Sequence, residues 1–150
     1  MHRSRLLITK VAFAALVGAS PAHAAGKLTV HDAWIRMPPP GSEMSAGYAT
    51  LANTGDEPIS VLTVQSNAYR MTSLHETVTS GDVSKMRELH RLKIAAGETI
   101  QMKPGGKHLM LMQPRRDIAV GEKVEMMFLL LDGTRVETYF DVVPADASGD

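Results

Sequence analysis

Cysteine is absent from the 150-residue sequence, and its absence excludes several kinds of chemistry. Without a thiolate there is no cysteine nucleophile, no cysteine-ligated zinc and no blue-copper electron-transfer site, which requires a Cys ligand. Disulfide bonds are excluded as well, so a packed core has to stabilise the fold. Long apolar runs are also missing, because no segment approaches the roughly 20 residues that a membrane-spanning helix needs.

A short apolar stretch, VAFAALVGAS, lies near the N-terminus at residues 11–20. It follows a basic segment without acidic residues, residues 1–10, and precedes Ala-His-Ala at residues 22–24. This order of basic region, apolar region and small-x-small cleavage site is typical of a secretory signal peptide. We therefore expect residues 1–24 to be removed on export, which leaves a periplasmic chain of residues 25–150.

An excess of positive charge is also missing. The full sequence has 16 basic and 16 acidic side chains, and removal of residues 1–24 leaves 13 against 16, a net charge of −3. Nucleic-acid binding is not expected, because it would need a basic patch. A chain of this length is suited to one domain with its own hydrophobic core.

Short β segments separated by turn residues fill the remaining sequence, and no stretch there keeps a helical period. The predicted strands cover residues 27–36, 46–54, 59–66, 69–80, 83–89, 91–94, 98–102, 107–113, 122–131 and 134–143. Asp132-Gly133, between the last two segments, is the strongest hairpin signal. This spacing predicts an all-β sandwich or barrel in a single domain.

The strand at residues 107–113 has an unusual composition. His108, Met110 and Met112 occupy alternate positions, so they share one face of the strand. Leu109 and Leu111 share the other face, which we expect to pack into the core. The first face therefore carries an imidazole and two thioethers where Thr, Lys or Glu would be ordinary.

Four residues, His75, Met86, His108 and Met110, follow the pattern H-x10-M-x21-H-x-M. This pattern, within LHETVTSGDVSKM and GGKHLML, resembles the signature of the periplasmic copper chaperones called PCu(A)C. AWIRMPPPGSEMSAGYATLANTG resembles the family's opening, and KPGGKHLMLM its most typical stretch. The resemblance covers roughly residues 28–142.

The resemblance implies a cupredoxin-like Greek-key β-sandwich that binds Cu(I) through His75, Met86, His108 and Met110. It also implies a chaperone that delivers copper to cytochrome c oxidase, at the binuclear copper site of subunit II. Relatives often act beside a Sco-type thiol protein, which is therefore a second expected partner.

The donor atoms favour the same ion on chemical grounds. Thioether sulfur is a soft, neutral ligand that selects Cu(I), and imidazole suits copper in either oxidation state. No carboxylate belongs to the four, which disfavours calcium, magnesium and manganese. Zinc prefers cysteine, histidine or carboxylate ligands.

Several functions are compatible with these residues. Copper transfer is the first, and copper sequestration for tolerance uses the same site with a different fate for the metal. An enzyme is not expected, because a catalytic copper needs substrate-orienting groups and no convincing set occurs. Oxidative enzymes that use an N-terminal histidine are excluded if Ala25 leads the mature chain. A sandwich without metal is the remaining alternative.

We expect more ordinary roles for the other methionines and histidines. Methionine often fills gaps in a core, and we expect this of Met102, Met126 and Met127. We expect His31 and His90 to be surface or partly buried residues.

Four further methionines lie near the predicted ligands or beside a loop. Met37 and Met44 flank a proline-rich loop and fit either a core or a site. Met71 and Met112 lie close in sequence to His75 and Met110, and we expect them to pack beside the ligands.

Overall fold

Ten β-strands form the part of the chain that the computed structural model describes, residues 26–148, and no helix occurs among those residues. The strands are β1 (Leu28–Arg36), β2 (Met44–Asn53), β3 (Ile59–Ser66), β4 (Tyr69–Ser80), β5 (Val83–Glu88), β6 (Leu92–Ile94), β7 (Thr99–Gln101), β8 (Lys107–Pro114), β9 (Lys123–Leu130) and β10 (Arg135–Val143). Each begins and ends within two residues of its predicted bounds. The all-β prediction is confirmed.

The predicted signal peptide, residues 1–24, lies outside the described residues. Within residues 26–148 no helix is long and apolar enough to cross a membrane.

All ten strands belong to one hydrogen-bonded sheet. Its spatial order is β5-β4-β8-β2-β1-β10-β9-β3-β6, and β7 pairs with β2. Only β1 and β10 run parallel among the paired strands of the described chain. Strands β3 and β4 also contact each other, where Thr72 Oγ1 donates a hydrogen bond to the Val64 carbonyl. The sheet therefore curls around a single core.

Alternating side chains fill this core from the inner face of the sheet. On β9 the buried residues come at every second position: Val124, Met126, Phe128 and Leu130. The ring of Phe128 stacks on that of Phe140 from β10, with centroids 6.4 Å apart. Truncating a core phenylalanine to alanine typically costs about 3–5 kcal/mol, so this hairpin is central to stability. Its turn is the predicted Asp132-Gly133.

A buried amide stabilises the end of β2. Asn53 is 1% exposed, and its side chain makes hydrogen bonds with five backbone groups. These are the carbonyls of Glu57, Ile94 and Ala95, to which Nδ2 donates, and the amides of Lys27 and Gly55, which donate to Oδ1. This amide fixes β2, and with it one of the two strands that flank β8.

Candidate metal centre

Strand β8 has the predicted alternation. Leu109 and Leu111 are fully buried in the core, which confirms the expectation for both. His108, 7% exposed, and the half-buried Met110 project from the opposite face. We call this side of β5, β4, β8 and β2 the histidine face. It faces away from the core.

Strand β4 places a second imidazole next to the first. His75 lies directly opposite His108 across the β4–β8 pair, and Ser73 lies opposite Met110. Residues directly opposite each other project to the same side of a sheet, so both histidines belong to the histidine face. Their ring centroids are 5.9 Å apart, at an interplanar angle of 26°. The strand register therefore brings the two imidazoles side by side on one face.

Strand β5 adds the fourth predicted residue. Met86 lies opposite Thr77, two residues beyond His75 on the same face of β4. It sits on an edge strand and is 52% exposed. A cavity of about 290 Å³ is lined by Met86, His108 and Met110. The fold therefore brings all four predicted residues together, and their role as metal ligands remains a prediction.

A backbone carbonyl orients the His108 ring. Nδ1 of His108 lies 3.0 Å from the Gly106 carbonyl oxygen, which also accepts a hydrogen bond from the amide of Thr77. Because a carbonyl can only accept, Nδ1 carries the proton and Nε2 keeps a free lone pair. The turn before this strand uses Gly105 at φ 78°, a left-handed conformation that favours glycine. Metal-binding histidines commonly donate their second nitrogen in this way.

One nitrogen of the His75 ring is buried and unpaired within the described part of the chain. Ser73 Oγ lies 2.9 Å from its Nε2, whereas Nδ1 is buried and has no hydrogen-bond partner among the described residues. Burial lowers the pKa of His75, and the neighbouring His108 lowers it further. Both causes favour the neutral imidazole, the form that can bind a metal. A buried polar atom without a partner is costly, and a bound ion would remove that cost.

The donors that meet here are soft or borderline. No cluster of three or more His, Asp or Glu side chains that could hold a metal occurs among residues 26–148. The histidine face instead offers two imidazoles and two thioethers. This combination suits a soft monovalent ion far better than a hard divalent one.

An ion-pair network connects the three strands that carry the four residues. Glu76 of β4 contacts Lys107 of β8 and Arg87 of β5, each at 2.6 Å. Its side chain is 18% exposed, and hydrogen bonds from Lys107 and Arg87 hold its pKa below the usual range. Glu76 lies on the opposite face from its neighbour His75, so it braces the strands without entering the cavity.

Sequence reasoning missed the aromatic side of the cavity. Tyr48 of β2 is 3% exposed, and its ring centroid is 6.5 Å from that of His108. The Arg36 guanidinium lies 5.5 Å from the Tyr48 ring centroid and donates a hydrogen bond of 2.9 Å to its hydroxyl. Trp34 packs against the same ring, with centroids 4.4 Å apart. The alternation on β2 predicted only which face Tyr48 takes, not that it would lie beside His108.

Three further methionines form a row across the same face. Met112 of β8 lies opposite Met44 of β2 and opposite Met71 of β4. Met44 is 46% and Met71 48% exposed, and Met112 is half-buried. The sequence predicted that Met71 and Met112 pack beside the ligands, and this role stays a prediction; neither residue belongs to the buried core.

The remaining expectations have mixed outcomes. Met102 and Met126 are buried in the core, as predicted. The expectation for Met127 was wrong: it is only half-buried, because it projects from the other face of β9. His31 and His90 are exposed, in agreement with the surface role expected for them.

Comparison with known sequences gives a family match that spans most of the described residues. The family model described as LpqE-like, a lipoprotein family, matches residues 28–142. A curated relative from Leifsonia xyli subsp. xyli, Lxx21020, is named as a lipoprotein. It is 33% identical over 116 residues, which cover 77% of this chain and 69% of the relative.

Solved structures give the same fold. The solution structure of Cu(I)-bound DR1885 from Deinococcus radiodurans is 28% identical, with a TM-score of 0.61, and the match covers 91% of this chain and 87% of that one. The copper-bound PCuAC domain of PmoF2 has a TM-score of 0.67 at 22% identity, over 81% of this chain and 97% of that domain. The predicted cupredoxin-like β fold is thereby confirmed.

Proposed function

The chain belongs to the LpqE-like family, within the PCuAC proteins, and from that premise we propose that it is a Cu(I)-binding copper chaperone. Its ligands are His75, Met86, His108 and Met110. The observation that carries the proposal is the facing histidine pair, in which the buried Nδ1 of His75 has no protein partner among the described residues. Two thioethers on the same face complete a donor set suited to Cu(I).

The exposure of Met86 supports transfer over permanent storage. Transfer requires that an acceptor's ligand reach the ion before the donor's ligands have left. Met86 is half exposed on an edge strand, beside a cavity that also reaches His108. The acceptor can displace this thioether first, while His75 and His108 still hold the ion.

We assign the protein no catalytic reaction. A catalytic copper needs an open coordination position and groups that orient a substrate. The cavity is lined largely by apolar side chains such as Met37, Pro39 and Met44. Such a lining fits the apolar surface of a protein acceptor better than a polar small substrate.

The proposed acceptor is the binuclear copper site of cytochrome c oxidase subunit II, with a Sco-type thiol protein as a second partner. An exported protein could reach this acceptor, and export is supported by the name of a related protein, which is called a lipoprotein. We propose that residues 1–24 are a signal peptide and that residues 25–150 act in the periplasm. Mass spectrometry of the periplasmic protein tests this, because a mature chain that keeps residues 1–24 would contradict export by cleavage.

A transfer experiment tests the function itself. Cu(I)-loaded protein is mixed with the apo copper domain of subunit II, with and without a reduced Sco-type protein, and copper is measured on each after separation. The proposal expects the metal on subunit II, and the same outcome for the Met126→Leu variant as a matched control. If the protein keeps its copper in the presence of every apo acceptor, sequestration is favoured over delivery. Failure to bind one Cu(I) per chain against a competing chelator would contradict both functions.

A further inference from the structure

The row formed by Met44, Met71 and Met112 lies on three adjacent strands in register. Met112 is opposite Met44 on one side and opposite Met71 on the other. Directly opposed residues have Cβ atoms about 4.5–5.5 Å apart. Methionine side chains are long and flexible, so the thioethers of Met44 and Met71 can both reach that of Met112.

Core packing does not explain this row. Met44 and Met71 are 46% and 48% exposed, whereas the core methionines Met102 and Met126 are 3% and 0% exposed. Exposed strand positions are ordinarily filled by polar or charged residues, because the outer face of a sheet meets water. Two exposed thioethers on either side of the half-buried Met112 therefore call for a different role.

We propose that Met44, Met71 and Met112 form a second soft-metal site, a three-thioether site for Cu(I) or Ag(I). Three neutral sulfur donors match a soft monovalent ion and offer little to a hard divalent cation. The proposal takes its ion from the function proposed above but uses none of the four ligands assigned there. Its greater exposure makes it the weaker and faster-exchanging of the two sites.

The row adjoins the first site. Met112 lies two residues beyond Met110 on β8, about 7 Å along the strand. Met44 lines the same cavity as Met86, His108 and Met110. An ion held by the outer row can therefore pass to Met110 in one short step. The outer row would receive copper from a donor or present it to an acceptor.

A titration with Ag(I) of protein carrying 13C-methyl methionine tests this proposal. Ag(I) is a soft ion that does not change oxidation state under these conditions. The first equivalent should shift the methyl signals of Met86 and Met110. A second, weaker equivalent should shift those of Met44, Met71 and Met112, while the signal of buried Met126 stays in place.

Substitution tests the same row independently. The triple variant Met44→Leu, Met71→Leu, Met112→Leu should bind one Ag(I) instead of two. Met112→Leu alone removes the central sulfur of the row, so the affinity for the second Ag(I) should fall by about tenfold or more, or about 1.4 kcal/mol. The Met102→Leu variant, which changes a residue in the core, should still bind two Ag(I).

The results separate the two sites. The proposed second site would be overturned if binding of the second Ag(I) does not shift the three outer methyl signals. It would also be overturned if the triple variant still binds two Ag(I). Absence of the first shifts at Met86 and Met110 would instead count against the proposed function. Loss of the first equivalent in the triple variant would also overturn the proposal, since it would mean that the row is part of the first site.

Discussion

His75 and His108 lie directly opposite each other on β4 and β8, with ring centroids 5.9 Å apart. Each ring has one nitrogen engaged, by Ser73 Oγ or by the Gly106 carbonyl, and one nitrogen free of protein partners in the described chain. Their separation is fixed by strand register and not by loop conformation. The backbone that carries these two proposed ligands is therefore preorganised.

Methionine substitutions should separate ligands from packing residues. Met→Leu nearly conserves volume and usually costs less than about 1.5 kcal/mol in a core. At Met86 or Met110 the change removes a soft donor, so Cu(I) affinity should fall well beyond tenfold, or about 1.4 kcal/mol. At Met126, which is fully buried, affinity should hold while stability changes modestly. Chelator competition and thermal melts of the apo variants measure both effects. Wild-type Cu(I) affinity in Met86→Leu and Met110→Leu would refute the ligand set.

The His75 imidazole should titrate below its ordinary value of 6.5 in the apo protein. Burial is the larger cause of its lowered pKa, and the electrostatic effect of the neighbouring His108 is the second. In His108→Ala the NMR titration midpoint of His75 should therefore rise but stay below 6.5. A His75 midpoint at or above 6.5 in the native protein would contradict the buried, unpaired Nδ1.

The same shift sets the pH dependence of stability and binding. The unfolded chain binds a proton at His75 at a higher pH than the folded chain does. The contribution of His75 to the free energy of unfolding is therefore fully present above pH 6.5, and it falls as the pH drops towards the lowered pKa. Cu(I) affinity should likewise weaken only in that acidic range, since thioethers have no proton to lose. His75→Ala should flatten both profiles. Equal slopes in the variant and the native protein would exclude His75 as the titrating group.

Glu76 should stabilise the strands behind the site in a pH-dependent way. Its pKa is lowered by hydrogen bonds from Lys107 and then Arg87, so its contribution is present at neutral pH and lost as the pH falls through that lowered pKa. Glu76→Gln should reduce the free energy of unfolding at pH 7 by about 1 kcal/mol or less, because Arg87 is largely exposed. Chemical denaturation at several pH values measures this.

The matched control is Glu137→Gln, since Glu137 makes no ion pair within residues 26–148. It should leave stability nearly unchanged at every pH. A loss in Glu76→Gln that persists in acid would mean that the carboxylate charge is not the cause.

Asn53 should matter for the fold and not for the metal. Asn53→Ala leaves five backbone partners without its amide, and each buried group left unpaired costs about 1–3 kcal/mol. We expect at least about 3 kcal/mol of lost stability by urea unfolding, with Cu(I) affinity unchanged wherever the variant is folded. Exposed Asn67→Ala should change stability by about 0.5 kcal/mol or less. A variant as stable as the native protein would disprove the role of this amide.

Much of this fold could be predicted from local sequence alone. Alternation along a strand depends only on the extended backbone. It therefore follows directly that Leu109 and Leu111 project into the core and that His108 and Met110 share the other face. Turn residues such as Asp132-Gly133 mark the strand ends for equally local reasons. The spacing of His75, Met86, His108 and Met110 likewise gave the family, which the comparisons then confirmed.

The sequence by itself determined where the strands lie, which face each side chain takes and which donor atoms are available. Only the tertiary structure decided that β4 lies beside β8, which strands cover β8 on each side, and that Met44, Met71 and Met112 fall in one row. The reason is physical. Pairing between strands far apart in the chain is selected by burial of the whole core, and no local pattern encodes it. The ring nitrogen that each histidine leaves free depends on the same packing, because Gly106 and Ser73 reach the rings only after the strands have paired.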